Sequence, residues 1–88
     1  MRKLLFLYMR LIKQIPHEGF LIQLHAYNGK FILSISLDQF EQSFKVSETD
    51  FPQVEQLESL IQGAFLTKCI QRFIEMRGDW MEIIQLKS

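Results

Sequence analysis

The chain has 88 residues, which is enough for one small domain and too few for two ordinary ones. Ten basic and ten acidic side chains give a formal net charge of zero, so the composition does not indicate a surface that binds polyanions over its whole extent. Hydrophobic residues make up 48% of the chain, which supplies a core and leaves apolar surface for a partner.

The compartment follows from the cysteine content and from the N-terminus. Cys69 is the single cysteine, so an internal disulfide is excluded and a reducing compartment is expected. The start of the chain resembles a signal peptide, but Arg10 and Lys13 interrupt its apolar run and no small-residue cleavage site follows. No run reaches the roughly 18 apolar residues of a membrane span. These features predict a soluble, cytoplasmic protein.

The first predicted element is an amphipathic helix over residues 2–15. At about 100° per residue, the apolar side chains fall on one broad arc of this helix. Pro16 ends it, because proline lacks an N–H and clashes with the preceding turn. The opposite arc carries four basic residues: Arg2, Lys3, Arg10 and Lys13.

A β-hairpin follows, centred on Asn28-Gly29. This dipeptide favours a type I′ turn, in which both central residues have positive φ. A two-residue loop there pairs Tyr27 with Lys30 and fixes every later pair. A shift of one residue would move all the apolar side chains to the other face, so the turn and the pattern support one register. The predicted buried face carries Phe20, Ile22, Leu24, Ala26, Phe31, Leu33, Ile35 and Leu37.

Alternating residues from Phe40 to Val46 predict a third strand, joined to the second by a turn at Asp38-Gln39. Phe40, Phe44 and Val46 then share the buried face. Three antiparallel strands with one covered face are what an independently stable sheet requires.

Two short helices are predicted next, over about 52–62 and 65–77. Asp50 is the expected N-cap, and proline at position 52 is tolerated in a first turn. A kink near Gly63 is expected because the apolar stripe rotates there to nearly the opposite side of the helix. The first stripe is Val54, Leu57, Leu60, Ile61 and Ala64, and the second is Leu66, Cys69, Ile70, Phe73 and Met76.

The C-terminal segment is predicted to be a fourth strand over Trp80 to Leu86. Gly78-Asp79 is expected to stop the preceding helix, and the segment is rich in residues that favour strands. A continued helix is the competing interpretation. The predicted fold class is therefore α+β: an N-terminal helix, a three-stranded antiparallel meander, two short helices or one broken helix, and a C-terminal strand.

Catalysis is not expected from these residues. Cys69 is the one nucleophile of interest, with His17 and His25 as possible bases, but Cys69 lies on the apolar side of a predicted helix. Two histidines and one cysteine without paired spacing do not make a standard zinc site. The glycines are isolated, so no phosphate-binding loop is present. The sequence predicts no cofactor and no metal.

Two alternatives depend on the predicted basic helix. Arg2, Lys3, Arg10 and Lys13 could contact phosphates, which makes a small nucleic-acid-binding regulator the alternative function. Against it, the predicted open face of the sheet offers one aromatic residue, Tyr27, where a single-strand-binding sheet needs several. A basic amphipathic helix also suits a membrane surface, although the sheet needs this helix as a cover.

Protein–protein contact is the predicted function, through two groups of candidate residues. His25, Tyr27 and Ile32 form a small cluster on the open face of the sheet. Trp80 and Met81 are of types favoured in interface cores. We therefore expect a non-enzymatic interaction module, a regulator, adaptor or inhibitor that occupies a partner's surface and forms a homodimer. A third hypothesis is an enzyme whose site forms only across a dimer interface.

Overall fold

The computed structural model describes residues 9–87 and confirms an α+β fold with an antiparallel sheet. The sheet and the helices form two compact units that divide after Val54. Four strands lie in sequence order in the sheet. They are β1 (Arg10–Ile15), β2 (Leu21–Tyr27), β3 (Lys30–Leu37) and β4 (Phe40–Ser47), and the helices are α1 (Val54–Leu60) and α2 (Leu66–Lys87).

The β2–β3 hairpin has the predicted register. Tyr27 pairs with Lys30, and the pairing continues without a break to Leu21 opposite Ser36. Asn28 and Gly29 have φ values of 52° and 76°, as a type I′ turn requires. The alternation along both strands is therefore fixed by the turn.

The third strand of the meander is also confirmed. β4 pairs with β3 from Leu37–Phe40 to Lys30–Ser47 without irregularity. The turn at Asp38-Gln39 is tight despite its unfavourable sequence, because Asp38 adopts a φ of 54°, which Asp tolerates better than most residues.

The predicted N-terminal helix is wrong for residues 10–15, which form the edge strand β1. Residues 2–8 of that prediction lie outside the described residues. The register of β1 against β2 shifts between Leu11 and Lys13, as at a β-bulge. A bulge adds one residue and breaks the period of two. The apolar spacing from Ile12 to Ile15 therefore equals that of a helix, and this is why the pattern was misleading.

One face of the sheet carries its buried residues. The two central strands supply most of them, since side chains there have neighbours on both sides. On the same face of β4, Phe40, Phe44 and Val46 are half-buried. The buried apolar residues of the sheet are Ile15, Ile22, Leu24, Phe31, Leu33 and Ile35.

The helical unit has the predicted kink. Residues Ile61–Phe65 join α1 to α2, and Gly63 has non-helical φ and ψ of −94° and −136°. Buried residues lie on both sides of the kink, as the rotating stripe predicts. Leu60, Ala64 and Ile70 are exposed, so that part of the prediction is wrong. The buried residues are Leu57, Ile61, Leu66, Cys69 and Phe73.

The predicted C-terminal strand is wrong, because α2 continues without interruption to Lys87. Gly78 lies inside the helix, where glycine costs about 1 kcal/mol relative to alanine but does not force a stop. The residues of the C-terminal segment that favour strands are also spaced three and four positions apart, and this spacing places them on one face of a helix. The longer helix therefore prevails over the local stop signal.

Candidate interaction surfaces

Two of the residues considered for catalysis, Cys69 and His17, make local hydrogen bonds in the described part of the chain. Cys69 is fully buried, and this burial raises the pKa of its thiol, while the nearby Arg72 guanidinium opposes the increase. Arg72 Nη1 donates a hydrogen bond to Cys69 Sγ at 3.5 Å. His17 Nδ1 accepts a hydrogen bond from the Gly19 amide at 3.0 Å. Within residues 9–87, no three His, Cys, Asp or Glu side chains are grouped as metal ligands would be.

A surface cavity of about 290 Å³ lies beside the β2–β3 turn. It is open and shallow, and its lining contains one basic and one acidic side chain, so its charge does not select a single class of ligand. The lining residues are Arg10, Ala26, Tyr27, Asn28 and Glu48.

The predicted cluster on the open face of the sheet is brought together. His25 lies directly opposite Ile32 across the β2–β3 ladder, and Ile32 lies opposite Lys45 on β4. Tyr27 is two residues along from His25 on the same face. The structure extends this row to β1, where Leu11 pairs with His25 and is half exposed. The row thus crosses all four strands.

The candidate nucleic-acid residues do not share a helical face in the described part of the chain. Arg10 and Lys13 both lie on β1, the edge strand, and both are exposed. Arg2 and Lys3 lie outside the described residues. The nucleic-acid alternative depended on four basic side chains along one helix. In the described part of the chain, two of these basic side chains lie along a strand instead.

Within the part of the chain that the structure describes, the largest group of exposed apolar residues lies near the end of α2. Trp80 and Met81, the two candidates from the sequence, belong to it, but they lie on a helix instead of a strand. Ile84 completes this group on the same side of the helix. We call Trp80, Met81 and Ile84 the α2 end face. Their exposed fractions are 44%, 49% and 42%.

The α2 end face continues the buried stripe of the same helix. Trp80 and Ile84 follow Phe73 by seven and eleven positions, which places each within about 20° of it around the helix axis. Phe73 is 2% exposed, whereas both later residues are more than 40% exposed. Leu86, which is also exposed, lies about 160° away from Ile84 around the same helix. The end face is therefore a continuation of one apolar stripe.

Sequence reasoning missed Leu11 and Ile84 as surface candidates. Leu11 was assigned to the apolar side of a helix, and only the strand with its bulge places it beside His25. Ile84 was assigned to a strand. A signal for Ile84 was available, since it follows Leu66 by 18 residues, which is five full turns of a helix and places both on one face.

Comparison with protein family models, with characterised proteins and with solved structures finds no match for this chain. None of the helices in residues 9–87 combines the length with the hydropathy that crossing a bilayer requires.

Proposed function

We propose that this protein is a non-enzymatic protein-binding module and that the α2 end face is the surface that binds its partner. The observation that carries the proposal is the continuation of the buried stripe of α2 into exposed Trp80, Met81 and Ile84. Tryptophan and methionine are enriched at the centres of protein interfaces. An amphipathic helix with such a face binds by inserting into an apolar groove. A module of this kind regulates or inhibits by occupying its partner's surface.

The partner we propose is another protein with an apolar groove. The end face consists of apolar side chains, which such a groove covers without leaving a polar group unpaired. Parallel pairing of two α2 helices would set Arg77, which lies between the directions of Trp80 and Met81 around the helix, against its own copy. A different protein therefore fits this face better than a second copy.

Affinity capture with matched variants tests the proposal. The wild-type chain is immobilised and exposed to an extract of native cells near physiological salt, beside a Trp80→Ala/Ile84→Ser double variant. Leu86→Ser is the control, because it removes an exposed apolar side chain from the other side of the same helix. We expect a stoichiometric protein on the wild type and on the control, and its loss from the double variant.

Fluorescence then identifies the contact with the purified partner. Trp80 is the single tryptophan of this chain, so the tryptophan emission of this chain reports the end face alone. Binding at this face excludes water from the ring and shifts the emission to shorter wavelength. Equal capture by the double variant, or an emission unchanged at saturation, would contradict the proposal. A nucleic-acid-like absorbance ratio that disappears at high salt would instead support the nucleic-acid alternative.

A further inference from the structure

The two edges of the described sheet differ in how they are protected. β1 is interrupted by the irregularity between Leu11 and Lys13 and is followed by Pro16. Bulges and prolines are the usual devices that prevent an edge strand from pairing with another chain. β4 has neither: its eight residues pair with β3 without a break. In residues 9–87, β4 is thus the edge strand whose ladder is regular and has no bulge or proline.

The register of the β3–β4 ladder also fixes which backbone groups of β4 point to this edge. Residues of an antiparallel ladder alternate between pairs that exchange hydrogen bonds and pairs that do not. The Glu48 amide donates to the Gly29 carbonyl at 3.2 Å, so even-numbered residues of β4 are the ones that bond to β3. The N–H and C=O groups of Glu41, Ser43 and Lys45 therefore point away from β3, toward the open edge.

The side chains at these three positions are complementary to a second copy of themselves. When two β4 strands run antiparallel with Ser43 opposite Ser43, Glu41 of each copy faces Lys45 of the other. The outward backbone groups of Ser43 then bond to their counterparts. A register centred on Glu41 or on Lys45 would instead oppose like charges. Registers centred on Gln42 or Phe44 leave both charges opposite uncharged residues. Of these five centres, Ser43 alone places both charged side chains of β4 opposite a charge of the other sign.

In the same register, the opposite face of the sheet gains apolar contacts between the two copies. Phe40 and Val46 are half-buried on the face of the sheet that carries the core, although Phe31 and Leu33 on the adjacent strand are buried. With Ser43 at the centre, Phe40 of one copy lies opposite Val46 of the other. Directly opposed side chains in antiparallel strands lie about 5 Å apart, so each pair gains an apolar neighbour.

We infer that two copies of this chain associate through β4, antiparallel and centred on Ser43, so that their two sheets become one continuous sheet. This inference is independent of the proposed function, since the edge of β4 and the α2 end face share no residue.

Charge reversal tests the inference by sedimentation equilibrium of the full chain. We expect the wild type to dimerise, and Lys45→Glu to weaken the dimer by about tenfold or more, because each Glu41 then faces a glutamate. Glu41→Lys should weaken it similarly. Lys30→Glu is the matched control, because it reverses an exposed charge on β3, one strand away from the edge. Circular dichroism verifies that each variant is folded.

Mixing the two variants gives the most specific result. The Lys45→Glu chain has glutamate at positions 41 and 45, and the Glu41→Lys chain has lysine at both. The two are complementary, so their mixture should dimerise more tightly than either variant alone. The double exchange Glu41→Lys/Lys45→Glu should restore the homodimer. Recovery in both cases would establish the antiparallel register, since only that register opposes position 41 to position 45.

Three outcomes overturn the inference. The first is a wild-type chain that remains monomeric over a wide range of concentration. The second is a dimer that is unaffected by the charge variants. The third is a dimer that the Trp80→Ala/Ile84→Ser variant abolishes, which would make the α2 end face the contact between copies. Only this third outcome also contradicts the partner proposed for the end face, so the two proposals fail separately.

Discussion

The first and last parts of α2 carry the same apolar spacing and differ in burial. Leu66, Cys69 and Phe73 are buried, whereas Trp80 and Ile84, on the same side of the helix, are exposed. Hydrophobic periodicity shows that the free energy falls when the apolar face of a helix is covered. It does not show whether the cover belongs to the same chain. The difference between the two parts of α2 is therefore the physical basis for assigning a binding role to the second.

The largest effect is expected in the first part of the helix. Phe73→Ala should lower the free energy of unfolding by about 3–5 kcal/mol, because it removes a buried aromatic ring and leaves a cavity. Urea denaturation followed by circular dichroism measures this change. Ile74→Ala is the control, since Ile74 is the next residue and is exposed. A loss equal to that of the control would show that Phe73 is not part of a packed core.

The junction between the two parts offers a stabilising substitution. Gly78→Ala should raise the free energy of unfolding by about 0.5–1 kcal/mol, because alanine restricts the unfolded chain and favours a helix interior. A Cβ at this position meets no atom within 4 Å, so the substitution introduces no clash. Thermal unfolding measures it. A decrease in stability would indicate that the chain does not continue as a helix through this position.

In the second part, truncation should affect stability far less than binding. Trp80→Ala is expected to change the free energy of unfolding by no more than about 0.5 kcal/mol, as is usual for exposed side chains. The same urea titration provides the measurement, with circular dichroism as the signal because the single tryptophan is lost. A loss comparable to that of Phe73→Ala would place Trp80 in the core and remove the distinction between the two parts of α2.

The pH dependence gives the smallest expected effect, because Arg72 opposes the effect of burial on Cys69. Burial raises the pKa of the Cys69 thiol above the ordinary 9.0, so the folded state binds this proton more tightly than the unfolded state. The resulting stabilisation is complete below pH 9.0 and is lost as the pH rises through the higher folded-state pKa. The free energy of unfolding should thus decrease more steeply at alkaline pH for the wild type than for Cys69→Ala. Parallel pH profiles would contradict this assignment.

The sequence alone determined the meander and the kink between the helices. Asn28-Gly29 and the alternation around it fixed every pair of the β2–β3 hairpin, because a one-residue slip would expose the apolar face. The rotation of the apolar stripe at Gly63 likewise required a break, and the structure has one. In both places a local conformational preference and the long-range pattern of apolar residues agreed.

The surface candidates were predicted less completely than the sheet. His25 and Ile32 were placed together correctly, since both belong to the hairpin whose register the turn fixes. Trp80 and Met81 were identified by residue type and assigned to the wrong element. Leu11 was missed. Each of these errors arose where the local signal disagreed with the final structure.

Only the tertiary structure decided the two ends of the chain. Residues 10–15 have helical spacing but form β1, because pairing with β2 satisfies their backbone groups and buries Ile15 across from Ile22. At the other end, Gly78-Asp79 resembles a stop, yet α2 continues to Lys87. Local propensities differ by about 1 kcal/mol or less per residue, which backbone pairing and helix continuity outweigh. Which apolar faces remain exposed is likewise a property of the packed chain and of its partners.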